Sequence, residues 1–121
     1  MGKFMIVDDS LFQRKSLGKM ITHMGWEVVV EASNGREAIE MYQRWNPDLV
    51  LMDLVMPEME GIEAVEKILA LDQNAKIIVI SSLGSSDIVD KALSLGAKQF
   101  LTKPVNAGEA ANILRAVLEE V

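Results

Sequence analysis

The sequence KFMIVDD at residues 3–9 places a short apolar run directly before two aspartates, and LVLMD at residues 49–53 repeats the pattern before one. Short apolar runs that are rich in β-branched side chains are typical of buried strands. Three further runs have this character, at residues 27–32, 77–80 and 99–102. We therefore predict five strands, at 3–7, 27–32, 49–52, 77–80 and 99–102, with Asp53 at the end of the third.

Between these runs the apolar spacing lengthens to that of an amphipathic helix. The first helix is predicted from Leu11 to the break at Gly25, and the second from Asn34-Gly35 to the break at residues 46–48. The third helix carries Ile62, Val65, Ile68 and Leu69. The fourth helix is predicted to be capped by Ser86 or Asp87 and to end near Gly96, and the fifth is predicted from Ala107 to Glu119. Strands that alternate with helices predict an α/β fold, with a parallel sheet covered on both faces.

Composition narrows the class of protein. The 121 residues fit one domain, and the chain has no cysteine for a disulfide or a thiolate metal site. Its formal net charge of −6 argues against nucleic acid as a direct partner, because phosphate contacts need a basic surface. The apolar runs are far shorter than the roughly 20 residues that span a bilayer. We expect a cytoplasmic protein that does not enter the membrane.

Polar side chains follow four of the predicted strands: Asp8 and Asp9, Asp53, Ser81, and Lys103. The carboxyl ends of parallel strands meet at one edge, so these groups are expected to share a pocket. Carboxylates about 4 Å apart repel by about 4 kcal/mol per pair at an effective dielectric near 20. A positive partner is therefore needed, and the candidates are Mg²⁺ and Lys103.

This combination of groups is suited to phosphoryl transfer. Asp53 could accept a phosphoryl group as an aspartyl phosphate, with Mg²⁺ and Lys103 neutralising charge and Ser81 donating a hydrogen bond. One aspartate at a strand end is usually a helix cap or turn residue. The joint pattern at four strand ends is what favours the chemical interpretation.

The motifs VDDS at 7–10, MDLVMP at 52–57 with Gly61, SS at 81–82 and FLTKP at 100–104 resemble the receiver domain of two-component response regulators. The resemblance covers the whole chain, and DDSLFQR at 8–14 is similar to the single-domain chemotaxis members. It implies a flavodoxin-like, doubly wound (βα)5 fold with strand order 2-1-3-4-5. It also implies that residues 1–121 form a single receiver domain without an output domain.

The resemblance implies a role for each site residue. Asp53 would be the phosphoacceptor, charged by a sensor histidine kinase. Magnesium would be held by Asp8, Asp9, Asp53 and the backbone carbonyl of Val55. Lys103, aimed by a cis Lys103-Pro104 bond, would pair with the phosphoryl group. Ser81 and Phe100 would switch together, although Phe100 replaces the tyrosine that is common in chemotaxis members.

Two positions would tune the lifetime of the phosphoryl group: Val55 and Leu83, each two residues beyond a site residue. Both are apolar. Neither can orient an attacking water, so we predict slow self-dephosphorylation.

The fourth helix carries two apolar stripes, Ile88 with Ala92 and Leu95, and Val89 with Leu93. We expect one stripe to face the sheet. The other would form a docking surface that consists of Val89, Leu93, Phe100 and Val105. Its partner would be a downstream protein, of the motor or phosphatase type.

The expected function is thus a phosphorylation-activated switch that signals by binding a partner. It would not be a conventional enzyme, since it would catalyse only its own phosphorylation and dephosphorylation. Two alternatives within the family are a phosphorelay intermediate and a receiver fragment of a longer regulator. A remote alternative is an aspartyl-phosphate phosphohydrolase of the haloacid-dehalogenase type. Those enzymes usually have a second aspartate two residues after the nucleophile, where this chain has Val55.

Overall fold

A computed structural model describes residues 2–56, 61–82 and 86–120. Five strands alternate with five helices. The strands are β1 (Lys3–Val7), β2 (Glu27–Ala32), β3 (Leu49–Asp53), β4 (Ile77–Ser81) and β5 (Gln99–Thr102). The helices are α1 (Leu11–His23), α2 (Gly35–Trp45), α3 (Gly61–Leu71), α4 (Ser86–Leu95) and α5 (Ala107–Leu118). All ten predicted elements are confirmed, and Asp53 and Ser81 prove to be the last residues of their strands.

The five strands form one parallel sheet of order β2-β1-β3-β4-β5, as expected. In its register, Val7 lies beside Met52, Asp53 beside Ile80, and Ser81 beside Thr102. The strands therefore end close to level with one another. This level edge brings the polar residues that follow each strand into one place.

The sheet separates two apolar clusters. One contains Met5, Val7 and their neighbours with residues of α2, α3 and α4, and the other contains Phe4 and Ile6 with residues of α1 and α5. Successive residues of β1 thus enter opposite clusters, which is the two-residue period of a strand. Burial on both faces explains why the strands are almost wholly apolar.

The register of β2 against β1 contains one irregularity. Phe4 pairs with Val28, but Met5 pairs with Val30, so that Val29 is skipped. Val28 packs on the α1 side and Val30 on the α2 side. Because the skipped residue reverses the alternation, Glu31 turns toward α1, where it meets Arg14 and Lys15.

Side-chain caps begin helices α1 and α2. The Ser10 hydroxyl accepts a hydrogen bond from the Gln13 amide, and the Asn34 side chain accepts one from the Glu37 amide. At the other end of α2, Asn46 adopts a left-handed conformation with φ 47°. Helix α4 begins at Ser86, so the predicted capping residues Ser86 and Asp87 lie inside its first turn instead of before it.

The prediction for Val89 is wrong. This side chain is 6% exposed and lies in the core with Ala92, while Ile88, Leu93 and Leu95 pack against the same cluster. Contact with both α3 and β4 lets α4 bury parts of both of its apolar stripes. Val89 therefore does not belong to an exposed docking surface.

Among the residues that the structure describes, no helix is both long and apolar enough to cross a membrane.

Candidate functional site

Asp8, Asp9 and Asp53 meet at the carboxyl edge of the sheet. One carboxylate oxygen from each lies within 4.8 Å of the others. Asp8 and Asp53 are buried, whereas Asp9 is exposed and opens the cluster to solvent. The sequence predicted that these three side chains would come together, and the geometry does bring them together.

Lys103 lies over the buried pair of carboxylates. Its Nζ is 3.4 Å from Oδ2 of Asp8 and 3.5 Å from Oδ2 of Asp53. The Lys103-Pro104 bond that follows β5 is cis, as the resemblance implied. Among the described residues, the cluster therefore contains three carboxylates and one ammonium group, which gives it an excess of negative charge.

The electrostatics of Asp53 reflect this excess. Burial, followed by the neighbouring Asp8 carboxylate, raises the pKa of Asp53 above its ordinary value. Lys103 and the amide of Val55 act in the opposite direction without cancelling the shift. An added cation would relieve the repulsion. Several carboxylate oxygens with access to water are the donor set that Mg²⁺ prefers, so these residues fit that ion.

Gly61, at the start of α3, supports the backbone of Asp53. Its amide donates to the carbonyl of Leu54, and a Cβ at this position would overlap the carbonyl oxygen of Asp53. Only glycine allows α3 to begin this close to the end of β3. The motif that joined Asp53 to Gly61 in the sequence thus has a steric reason.

The other predicted site residues that the structure describes have different environments. Ser81 is 5% exposed at the end of β4, and its carbonyl accepts from the amide of Lys103. Val55 is 61% exposed, and its amide donates to Oδ1 of Asp53 at 3.3 Å. Phe100 points partly outward, with 41% of its surface exposed. Leu83 lies outside the described residues.

Two side chains that the sequence did not single out for the site hold Asp8 in place. Arg14 Nη1 donates to the backbone carbonyl of Asp8 at 2.7 Å, and Arg14 Nε donates to Glu31 Oε1 at 2.9 Å. Partial burial favours a higher pKa for Glu31, but the hydrogen bonds from Lys15 and Arg14 lower it overall. Sequence patterns do not point to this contact, because strict alternation along β2 would turn Glu31 away from α1.

Comparison with known families agrees with this arrangement. The family model for the response regulator receiver domain matches residues 4–115. The chemotaxis protein CheY of Thermotoga maritima is 48% identical over 118 residues, which are 97% of this chain and 98% of that protein. The chemotaxis protein CheY of Bacillus subtilis is 40% identical over 116 residues, covering 96% of this chain and 97% of the relative.

Solved structures show the same fold. The CheX–CheY–BeF3–Mg²⁺ complex from Borrelia burgdorferi matches with a TM-score of 0.92 and 35% identity, covering 98% of this chain and 90% of the matched chain. The response regulator domain of Thermotoga maritima CheB matches with a TM-score of 0.90 and 32% identity, covering 98% and 97%. With its motifs, its strand order and these full-length matches, the chain belongs to the response regulator receiver domain family.

Proposed function

We propose that this chain is a signalling switch in which Asp53 accepts a phosphoryl group from a phosphohistidine of a sensor histidine kinase. One observation carries the proposal. Three carboxylates lie within 4.8 Å of one another, and a single ammonium group is 3.4–3.5 Å from two of them. A fold that held this cluster only for stability would gain by replacing an acid, since like charges at this distance repel.

In the proposed reaction, a carboxylate oxygen of Asp53 forms a bond to phosphorus. The P–N bond of the phosphohistidine breaks, and the imidazole leaves with its electron pair. Lys103 Nζ, already within 3.5 Å of Asp53, would pair with an oxygen of the transferred group. The hydroxyl of Ser81 would donate to another. The protein thereby contributes positioning and charge neutralisation, which are the main components of phosphoryl-transfer catalysis.

Asp8, Asp9 and Asp53 would hold Mg²⁺ together with the backbone carbonyl of Val55. When bound, the ion supplies charge that offsets the carboxylates and the incoming phosphoryl oxygens. The presence of Mg²⁺ and BeF3 in the structurally similar CheY complex supports this assignment. Because Asp9 is the exposed member of the cluster, a hydrated cation would approach from its side.

Intact mass after incubation with acetyl phosphate and Mg²⁺ tests the proposal. We expect a gain of one phosphoryl group, dependent on Mg²⁺. Asp53→Asn is the matched control, because it keeps the shape of the side chain and removes the nucleophilic charge; it should gain nothing. Equal labelling of the two proteins would overturn the assignment of Asp53, and absence of labelling in the folded protein would count against the switch.

The relatives favour a chemotaxis-type role over a phosphorelay role. Chemotaxis proteins named CheY, from several organisms, match nearly the whole of this chain at 40–48% identity. We propose residues 1–121 as a single receiver domain that signals by binding a downstream protein. The CheX in the matched complex indicates one class of partner that binds a CheY. The domain would turn over no metabolite.

The proposed output surface is the face formed by α4, β5 and α5, now without Val89. Leu93 and Val105 are partly buried against the two core clusters, and Phe100 is the exposed member. Phosphorylation would draw the Ser81 hydroxyl toward Asp53, and Phe100 would rotate inward as Ser81 shifts. Such a change is a shift of population between two packings.

Fluorine NMR tests this switch, because the chain has only three phenylalanines. After labelling with 4-fluorophenylalanine, Phe4 is a fully buried reference and Phe12, at 80% exposure, is an exposed one. We expect beryllium fluoride with Mg²⁺ to reduce the solvent isotope shift of Phe100 toward that of Phe4. If the solvent isotope shift of Phe100 stays unchanged when the protein carries beryllium fluoride, the proposed role of Phe100 is contradicted.

The apolar residues Val55 and Leu83 would set a slow rate of self-dephosphorylation. Val55 is well exposed close to Asp53, so an attacking water would meet an apolar side chain there instead of a hydrogen-bonding group.

A further inference from the structure

Arg14 connects the ends of two strands with one side chain. Its Nη1 donates to the carbonyl of Asp8 at 2.7 Å, just beyond β1, and its Nε donates to Glu31 at 2.9 Å, near the end of β2. The side chain is 16% exposed, so both bonds are shielded from competing water. The planar guanidinium fixes the angle between the two donors, which a flexible ammonium cannot do.

The carbonyl that Arg14 binds belongs to the peptide unit joining Asp8 to Asp9. Because a peptide unit is planar, rotation of that carbonyl would displace the Asp9 backbone as well. The units on either side are also fixed: the Asp8 amide donates to the carbonyl of Ala32, and the Ser10 amide donates to Oδ1 of Asp8. Arg14 therefore completes a run of three anchored peptide units around the two aspartates.

We propose that Arg14 is a positioning residue that sets the affinity of the cluster of Asp8, Asp9 and Asp53 for a divalent cation. The inference rests on the proposed function, since it concerns the same acidic cluster. Arg14 acts through the backbone of Asp8, and Glu31 holds the guanidinium in place for that task. Groups outside the ligand shell that orient metal ligands typically change affinity by about 10–100-fold when they are removed.

The sign of the effect separates positioning from simple charge. Loss of a cation near three carboxylates would, by charge alone, strengthen the binding of Mg²⁺. Loss of the anchor that orients Asp8 and Asp9 would weaken it. We expect Arg14→Ala to raise the Kd for Mg²⁺ by about 10-fold, the lower end of that range, because the ligands themselves remain.

Lys15→Ala is the matched control. It removes the same unit of charge from the adjacent residue and also breaks a contact with Glu31, of 3.1 Å, but that side chain is 63% exposed. Its Kd for Mg²⁺ should stay at or slightly below the wild-type value. Glu31→Ala keeps Arg14 without its anchor and should weaken binding less than Arg14→Ala does. The double variant should be no weaker than Arg14→Ala, since the two residues act in series.

The experiment is a calorimetric Mg²⁺ titration of the full chain at constant ionic strength, with circular dichroism to confirm folding. If Arg14→Ala fails to fold, Arg14→Lys replaces it, because lysine keeps the charge but lacks the planar guanidinium with its two donors. Arg14→Lys too should bind Mg²⁺ more weakly than the wild type. A second readout is the Mg²⁺ dependence of phosphorylation by acetyl phosphate. The half-maximal Mg²⁺ concentration should rise while the rate at saturating Mg²⁺ stays near that of the wild type.

The outcomes are distinguishable. If the wild type is phosphorylated but folded Arg14 variants bind Mg²⁺ as tightly as Lys15→Ala does, the inference is wrong and the proposed function stands. A lower saturating rate with an unchanged Kd would also overturn it. If the wild type neither binds Mg²⁺ nor accepts a phosphoryl group, the proposed function fails first and the inference with it.

Discussion

At the carboxyl edge of the sheet, three carboxylates lie together and the Lys103 ammonium group contacts two of them, whereas at the amino edge Asp72 and Lys76 have well-placed partners. There the Tyr42 hydroxyl donates to Asp72 Oδ2 at 2.7 Å. Lys76 Nζ donates to the carbonyls of Leu118 and Glu120 at 3.0 and 2.7 Å, which satisfies acceptors at the end of α5.

The two edges come from the same strands and the same apolar core, but they are built for different purposes. At the amino edge, charge closes the fold by satisfying backbone and hydroxyl groups. At the carboxyl edge, crowding of like charge opposes folding, and it would be relieved by the cation proposed to bind there. The difference teaches that the edge with unrelieved repulsion between carboxylates is the better candidate for a ligand site.

The largest effect should come from removing the cation of the carboxyl edge. Lys103→Met should lower the rate of phosphorylation by acetyl phosphate at saturating Mg²⁺ by about 100-fold, because a charged donor to the transferred group is lost. Lys98→Met is the matched control: Lys98 lies at the opposite end of β5, 3.6 Å from Glu120, and should leave the rate unchanged. Equal rates for both variants would show that the edges do not differ in this way.

Binding of Mg²⁺ should stabilise the fold through the carboxyl edge alone. At a concentration 100 times its Kd, Mg²⁺ should raise the free energy of unfolding by about 2.7 kcal/mol, seen as a higher Tm. Asp53→Asn should be more stable than the wild type without Mg²⁺, since one crowded carboxylate is gone, and should respond less to the ion. If NaCl at the same ionic strength raises the Tm by the same amount, Mg²⁺ acts only by screening charge.

A smaller effect, confined to stability, is expected at the amino edge. Burial, followed by the nearby Asp72, raises the pKa of the Tyr42 hydroxyl well above its ordinary value, so the group stays a hydrogen-bond donor at neutral pH. Tyr42→Phe should lower the free energy of unfolding by about 1.5 kcal/mol in urea titrations, the loss typical of a bond to a charged acceptor. The rate of phosphorylation should not change; a slower rate would show that the two edges are coupled.

Most of the fold was predictable from the sequence. The strands of this protein are apolar runs bounded by turn residues, and the helices between them have clear amphipathic spacing, so that element order implied a parallel sheet. The convergence of Asp8, Asp53 and Lys103 followed, because parallel strands end on one edge. The strand order itself came from the family resemblance, since local pattern does not say which strands are neighbours.

Sequence patterns mislead where the environment of a side chain depends on elements other than its own. Val89 belongs to an apolar stripe that looked available for a partner, but packing of α4 on α3 and β4 buries it in the core. Arg14 and Glu31 meet because β2 skips one residue in its register with β1. A helix pattern does not record how many neighbours the helix has, and a strand pattern does not record a shift in pairing.

The sequence by itself therefore determined the α/β alternation, the apolar core and the chemical groups at the carboxyl edge, because local spacing and strand-end composition carry that information. Only the tertiary structure decided how those groups are held: the 3.4–3.5 Å placement of Lys103, the close approach of Gly61 to Asp53, and the clamp of Arg14 on Asp8. Each of these contacts joins different elements of the fold, and its geometry is set by sheet register and by the packing of helices onto the sheet.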